Sequence, residues 1–103
     1  TQQSCCGSLC VCRNGEEAMR TFRDGDILVI AQTTNTLLPL VRKASGLILE
    51  DGNPNGHGAI AGMSLNLPVI IGAENATKIL KSGAVVTLDA ERGVVSCDAG
   101  NVL

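Results

Sequence analysis

Three short runs of aliphatic residues, each followed by a stretch of helical period, constrain the fold of this chain more than any other feature. The runs cover residues 27–31, 47–49 and 69–71. Each run is continuously apolar rather than alternating, which is typical of strands that are covered on both faces. Short buried strands that alternate with helices predict an α/β domain, and a chain of 103 residues fits one such domain.

The flanking segments complete this pattern. Residues 7–12 predict a first strand, and residues 84–88 and 94–97 predict two strands that form a closing hairpin. A hairpin pairs its strands antiparallel, so the sheet is expected to be mixed, with short helices around it. Residues 1–6 carry no periodic pattern and are expected to be a loose lead-in to a single domain over residues 7–103.

Helix boundaries are predicted from capping residues. Asn14 is expected to cap the first helix, Asn35 or Thr36 the second, with Pro39 in its first turn, and Asn66 the end of the third, which spans residues 56–65. A fourth helix is expected over residues 74–80. The apolar sides of the first, third and fourth helices are Ala18, Met19 and Phe22; Ile60, Met63 and Leu67; and Ala76, Ile79 and Leu80, the last set pointing inward.

Composition excludes several functions. Phe22 is the only aromatic residue, which disfavours single-stranded nucleic-acid binding, because that function needs stacking platforms. The chain has 8 basic and 10 acidic residues, a net charge of −2, and no basic block for a phosphate backbone. No apolar run approaches the roughly 18 residues of a membrane span, and no charged-then-apolar leader precedes Gly7. We therefore expect a cytoplasmic protein that binds neither nucleic acid nor membranes.

The five cysteines are expected to be reduced thiols. They are odd in number and four of them crowd the N-terminus, whereas a disulfide framework spreads an even set along the chain. Cys10 and Cys12 are predicted on one face of the first strand. The paired Cys-x2-Cys spacing of a zinc site is absent, so no metal or cofactor is expected in this domain. The set is Cys5, Cys6, Cys10, Cys12 and Cys97.

The only histidine, His57, follows a polar Gly/Asn/Pro-rich loop at a predicted helix start. The N–H groups and positive dipole end of a helix start favour an anion, and the flanking glycines leave the ring open to a donor. These are the needs of a histidine that accepts a phosphoryl group by covalent catalysis, with Asn55, Gly56, Gly58 and Ala59 around the phosphate. The competing interpretation is a surface histidine at a helix start that Asn55 caps.

A dinucleotide-binding loop is a poor explanation of the same glycines. Gly56, Gly58 and Gly62 give the spacing G-x-G-x-x-x-G rather than G-x-G-x-x-G. The acidic residue expected at the end of a strand about 20 residues further on is also missing.

Four segments of the chain carry a resemblance to a known family: residues 25–29, Thr34 to Ala44, His57–Gly72, and residues 87–95. Together they resemble the mobile, swivelling phosphohistidine domain of enzymes that use phosphoenolpyruvate. The resemblance implies a swivelling β/β/α fold and a histidine, His57, that shuttles phosphate between sites. The segment with Pro39 and Lys43-Ala44 is most similar to the extra C-terminal domain of some bacterial pyruvate kinases.

The chain departs from the family's motif just before the histidine. The family usually reads Gly-Gly-x-Thr-Ser/Cys-His-Ala-Ala, and the corresponding segment here is residues 52–59, GNPNGHGA. The threonine and the hydroxyl or thiol residue are replaced by Asn55 and Gly56. Each lost hydrogen bond to a charged group is worth about 1.5–3 kcal/mol, so the resemblance predicts an eroded site.

The leading hypothesis is therefore the C-terminal extension of a pyruvate kinase, a structural or regulatory module with a vestigial His57 site and no turnover alone. The alternative is a working phosphohistidine domain of the phosphoenolpyruvate synthase, pyruvate phosphate dikinase or enzyme I type. A third class is a free-standing small-anion binder that uses Gly56–Ala59. The chain begins without methionine, so a longer parent is expected. Its remaining polypeptide would be the partner, would form the homo-oligomer, and would bind Mg²⁺ and K⁺.

Overall fold

The computed structural model describes residues 4–33, 35–53, 55–90 and 93–97. It contains six strands and four helices within these ranges, and a single 3-10 turn, Asn35–Leu37, leads into the second helix. The elements in chain order are β1 (Ser4–Val11), α1 (Gly15–Thr21), β2 (Ile27–Ile30), α2 (Leu38–Lys43), β3 (Gly46–Leu49), α3 (His57–Ser64), β4 (Val69–Ile70), α4 (Ala76–Ile79), β5 (Val85–Asp89) and β6 (Val94–Cys97).

The strands form one mixed sheet in the order β4-β3-β2-β1-β5-β6. β1 to β4 run parallel, and Leu28 in β2 stands opposite Cys10 in β1 and Leu47 in β3. β5 pairs antiparallel with β1 and with β6. The predicted α/β class, mixed sheet, short helices and closing hairpin are confirmed.

β2 and β3 are buried on both faces, as their continuous apolar runs predict. The same prediction is wrong for β4, which is only half-buried because it is an edge strand with one neighbour. Leu28 and Ile30 of β2 point to a cluster that α1 and α2 cover. Ala18 comes from α1, Val41 from α2, and Leu37 from the 3-10 turn before α2. The alternate residues of β2 point to the opposite face. The cluster there comprises Leu9, Ile27, Val29, Ile48, Ala76, Val86 and Leu88, with Ala76 supplied by α4.

The lead-in predicted for residues 1–6 is wrong for its second half. β1 begins at Ser4, and Cys5 and Cys6 stand opposite Leu88 and Thr87 of β5. Because the ladder with β5 supplies the backbone hydrogen bonds, this part of β1 forms without a periodic apolar pattern. Residues 1–3 lie outside the described ranges.

The helices pack by their small residues, which reverses several predicted faces. Met19 of α1 is 60% exposed, Met63 of α3 73% and Ile79 of α4 69%. A helix axis approaches a sheet closely only where its side chains are small, and the larger neighbours then face outward. The buried residues are instead small: Ala18 in α1, Gly58, Ala59 and Gly62 in α3, and Ala76 in α4.

The predicted start of α1 is confirmed, whereas the predicted cap of α2 is wrong. Asn14 caps α1, and its side-chain oxygen accepts a first-turn N–H at 2.8 Å. Neither Asn35 nor Thr36 caps α2, because both belong to the 3-10 turn and the N-cap is Leu37. Pro39 lies in the first turn of α2 as predicted, where its missing N–H costs no helical hydrogen bond.

The end of α3 follows the prediction. Leu65 is the C-cap, and Asn66 beyond it has a left-handed backbone with φ 60°. The N–H of Leu67 reaches the carbonyl of Gly62 at 2.9 Å and the N–H of Asn66 that of Met63 at 3.1 Å. These bonds satisfy carbonyls of the last turn and direct the chain into β4.

Gly62→Ala is expected to destabilise the domain, because α3 crosses β4 at this glycine. A Cβ there would overlap a methyl group of Val69. Overpacking costs about 1–3 kcal/mol, and the helix propensity of alanine returns up to about 1. We expect the free energy of unfolding in urea to fall by about 1–2 kcal/mol.

Ser64→Ala is the matched control, since Ser64 is exposed on the same helix. It should change the free energy of unfolding by less than about 0.5 kcal/mol. If the two variants were equally stable, α3 and β4 could not be in this close contact.

Candidate functional site around His57

The site lies where two neighbouring parallel strands end. β2 ends at Ile30 and β3 at Leu49, and their carboxyl ends share one edge of the sheet. Thr33 follows β2 after a short polar segment, and His57 begins α3 after the loop that leaves β3. The carboxyl edge of a parallel sheet is where α/β domains gather ligands.

A hydrogen bond joins the two loops at this edge. The Thr33 hydroxyl lies 2.8 Å from Nδ1 of His57, with the donor set by the imidazole tautomer. Thr33 is only 4% exposed, so its buried hydroxyl needs a partner and His57 supplies one. The ring itself is exposed. The bond engages Nδ1 and fixes the orientation of the ring.

Gly58 permits this approach of Thr33 to the start of α3. A Cβ at Gly58 would lie 2.9 Å from the Thr33 hydroxyl oxygen and 2.6 Å from a methyl carbon of Leu49. The leucine methyl lies at the end of a flexible side chain and can move. The hydroxyl is held by His57, so the missing side chain of Gly58 preserves the hydrogen bond.

The residues predicted to surround a phosphate lie beside His57 in different ways. Gly56 is the N-cap, and its N–H donates to the carbonyl of Asn53 at 3.0 Å. Asn55 is exposed one position earlier and donates its N–H to the Asn53 side chain at 2.9 Å, so the predicted Asn55 cap is wrong. Gly58 and Ala59 are buried, and only their backbone N–H groups could face a ligand.

The loop before His57 is tied to the neighbouring strand ends. The Asp51 N–H donates to the carbonyl of Ala31 at 3.0 Å, and the Asp51 carbonyl accepts from Gly72 at 3.1 Å. The Asp51 carboxylate accepts from the N–H of Asn53 at 3.0 Å. Pro54 lies outside the described residues. The ends of β2 and β4 thus hold the base of the loop in place.

Thr33 is the residue of the candidate site that the sequence did not predict. The sequence gives only a weak signal for it. Thr33 is a polar residue just after a predicted buried strand, and the loop after the next predicted strand ends at the only histidine. The resemblance instead includes Thr34, which lies outside the described residues. The family's motif has its hydroxyl groups in the loop before the histidine, whereas in this chain the adjacent loop supplies one, that of Thr33.

Glu50, the first residue after β3, serves the fold rather than His57. Its carboxylate accepts two hydrogen bonds from Thr77, one from the side-chain hydroxyl at 2.7 Å and one from the backbone N–H at 2.9 Å. Both hydrogen bonds lower the pKa of Glu50, and the bond from the Thr77 hydroxyl has the larger effect. This carboxylate caps the first turn of α4 and is already committed to that role.

Two of the N-terminal thiols, Cys10 and Cys12, are buried in the core. Cys10 lies in β1 and Cys12 just beyond its end, and both face the same side of the sheet as predicted, with 3.4 Å between their sulfur atoms. Within the described part of the chain, no disulfide links Cys5, Cys6, Cys10 or Cys12. Burial, and then the hydrogen bond to Cys10, raises the pKa of Cys12 to about 12. Such a thiol is a poor nucleophile at neutral pH.

This pKa predicts a loss of stability at high pH. A thiol whose pKa is higher in the folded chain stabilises the fold fully below its usual pKa of 9.0, and this contribution is lost as the pH rises toward about 12. Cys12 alone should steepen the fall in unfolding free energy by up to about 1.4 kcal/mol per pH unit. Urea titrations of the chain and of Cys12→Ala across this range would show the shallower slope in the variant. Parallel slopes would contradict the prediction.

Comparison with known proteins places the chain in a family. The family described as PEP-utilising enzyme, mobile domain, matches residues 22–93. The chain belongs to this family. The match covers β2 to β5 and therefore contains both Thr33 and His57.

The relatives of this mobile domain are much longer proteins. A pyruvate kinase of Bacillus licheniformis is 39% identical over 102 residues, which are 99% of this chain and 17% of the relative. A probable phosphoenolpyruvate synthase of Methanothermobacter thermautotrophicus is 42% identical over 71 residues, 69% of this chain and 10% of the relative. The chain thus spans a small part of the relatives that it matches.

A solved structure shows the same fold. The NMR solution structure of an enzyme I protein has a TM-score of 0.60 and 23% identity, over 74% of this chain and 32% of the other. At this identity the likeness supports the architecture of the mobile domain alone. Among the described helices of the mobile domain, none has the length and apolarity that crossing a lipid bilayer requires.

Proposed function

We propose that this chain is the C-terminal extension of a pyruvate kinase and acts there as a structural and regulatory module. The observation that carries the proposal is 39% identity to a pyruvate kinase over 99% of this chain. The transfer of phosphate from phosphoenolpyruvate to ADP would take place in the rest of the parent polypeptide. That remainder would also bind Mg²⁺ and K⁺ and form the homo-oligomer.

In this proposal the His57 site is vestigial as a relay. Residues 51–58 contain no serine or threonine, so the loop offers no hydroxyl to a phosphoryl group on His57. Asn55 is exposed and does not cap α3, and Gly56 has no side chain. The backbone N–H groups of the first turn are then the main donors left for an anion in this loop.

Deletion of the domain from the full-length parent tests the module role. We expect the truncated enzyme to lose thermal stability, to assemble incompletely or to respond differently to its effectors, while it keeps its active site. Differential scanning calorimetry, light scattering and effector titrations measure these properties. Unchanged stability, assembly and effector response together would overturn the proposal.

A second candidate function, phosphoryl relay, is favoured by the hydrogen bond between Thr33 and His57. In the tautomer whose Nδ1–H donates to the Thr33 hydroxyl, the lone pair of Nε2 would attack the phosphorus of phosphoenolpyruvate or of a nucleotide. The N–P bond forms as the P–O bond to the leaving group breaks, and the leaving oxygen keeps the electron pair. The start of α3 would stabilise the added negative charge. A later acceptor would reverse these steps.

Labelling of the full-length parent separates the two functions. Phosphoenolpyruvate or ATP, each tested with a radioactive phosphate in the position that is transferred, should leave an acid-labile label on His57 if the relay operates. His57→Ala should abolish that label. Equal labelling of the two proteins, or none in either, would exclude the relay.

A further inference from the structure

A groove between α2 and α3 opens beside His57. Its volume is about 360 Å³, within the range of small-molecule sites. α2 contributes Leu38 and Arg42, which lie four residues apart on one face of the helix. α3 contributes a stripe with helical spacing that starts at His57 and continues through Ile60, Ala61, Ser64 and Leu65.

The groove has apolar walls that water reaches. Ile60 is 51% exposed and Leu65 37%, although both are large aliphatic residues. Their exposure follows from the packing of α3 through Gly58 and Gly62. A compact apolar body in the groove would remove these side chains from water, which is favourable by about 25 cal/mol for each Å² covered.

The charge of the groove is positive, in a chain whose net charge is −2. Arg42 is the charged lining residue, and none of the lining residues that the structure describes is acidic. In the described ranges Arg42 makes no ion pair, whereas its neighbour Lys43 lies 4.0 Å from the carboxylate of Asp24. His57 adds a hydrogen-bonding ring at the end of α3 where the dipole favours negative charge.

We propose that this groove binds a small organic anion, with its acid group on Arg42 and His57 and its apolar body against Leu38 and Ile60. The complementary charge and the apolar floor together select an amphipathic ligand over inorganic phosphate or a neutral hydrocarbon. The proposal goes beyond the functions above. It needs neither a pyruvate kinase parent nor phosphorylation of His57, so its failure would leave both of those proposals standing.

Phenylphosphonate is a suitable probe, because its C–P bond prevents phosphoryl transfer to His57. Titration of this chain, followed by the NMR resonances of His57, Ile60 and Ser64, should show saturable shifts with a dissociation constant of about 1 mM. Arg42→Gln should weaken binding about tenfold, the loss of one charged hydrogen bond. Lys43→Gln is the matched control, since it removes the same charge outside the groove and should change the affinity less than about twofold.

Two further probes separate the contributions. Methylphosphonate carries the acid without the ring, and benzyl alcohol carries the ring without the acid. Each should bind at least about fivefold more weakly than phenylphosphonate. Equal binding of methylphosphonate would reveal only a surface anion site, and equal binding of benzyl alcohol only an apolar docking groove. Either of these results would overturn the proposal. Equal losses of affinity in Arg42→Gln and Lys43→Gln, or no saturation by phenylphosphonate at about 10 mM, would also overturn it.

Discussion

Leu28→Ala is expected to lower the free energy of unfolding by about 2–5 kcal/mol, enough to unfold a marginally stable domain at ambient temperature. Leu28 is 0% exposed and lies in β2, between β1 and β3. It also faces the cluster that α1 and α2 cover. Truncation would leave a cavity that two neighbouring strands and two helices cannot readily collapse into, since the sheet holds its own spacing.

Urea unfolding followed by circular dichroism measures this loss. Met63→Ala is the control, because Met63 is of similar size but 73% exposed on the outer side of α3. It should change the free energy of unfolding by less than about 0.5 kcal/mol. A loss in Leu28→Ala no larger than in the control would mean that β2 is not the centre of the sheet.

Thr33→Val is expected to leave the fold intact while releasing the His57 ring. Valine has the shape of threonine but cannot make the 2.8 Å hydrogen bond to Nδ1. Loss of this bond should cost about 1 kcal/mol of stability. If His57 accepts phosphate, the rate of transfer should fall about 10- to 100-fold, because a ring that is free to rotate must lose that freedom in the transition state.

The ¹⁵N resonances of the imidazole measure the release directly. In Thr33→Val these resonances should shift toward the values of an imidazole that exchanges between its orientations and its two tautomers. Thr36→Val is the control, since Thr36 is exposed in the 3-10 turn before α2 and should leave these resonances unchanged. Unaltered resonances in Thr33→Val would contradict the role assigned to the Thr33 hydroxyl.

The order of strands and helices followed directly from the sequence, because strands covered on both faces are continuously apolar. β2 and β3 were recognisable for this reason, and so was the β5-β6 hairpin from its turn. The first residues of β1 were missed because Cys5 and Cys6 form a strand only through pairing with β5. Pairing partners distant in sequence leave no local pattern to detect.

Helix faces were predicted less well, for a different physical reason. Periodicity marks large apolar residues, and it therefore predicts Ile60 and Met63 on the buried side of α3. The sheet instead contacts Gly58, Ala59 and Gly62, since small residues allow the closest approach. Glycine and alanine contribute little to hydrophobic periodicity, although they are the residues that allow a helix to pack closely on a sheet.

The candidate site was half visible in the sequence. His57 and its helix start were found because a lone histidine between glycines is conspicuous. Thr33 was not, because its contact with His57 spans 24 residues and depends on β2 and β3 being neighbours. The groove beside Arg42 is likewise a product of tertiary packing, since α2 and α3 belong to separate segments of the chain.

The most direct test of the proposed module role is steady-state turnover of the full-length parent enzyme with His57→Ala. A structural and regulatory module with a vestigial site predicts that kcat for phosphate transfer from phosphoenolpyruvate to ADP stays within about twofold of the unmodified enzyme. A fall of about a hundredfold or more, in a variant that keeps its assembly and stability, would contradict this account and show that His57 takes part in the chemistry.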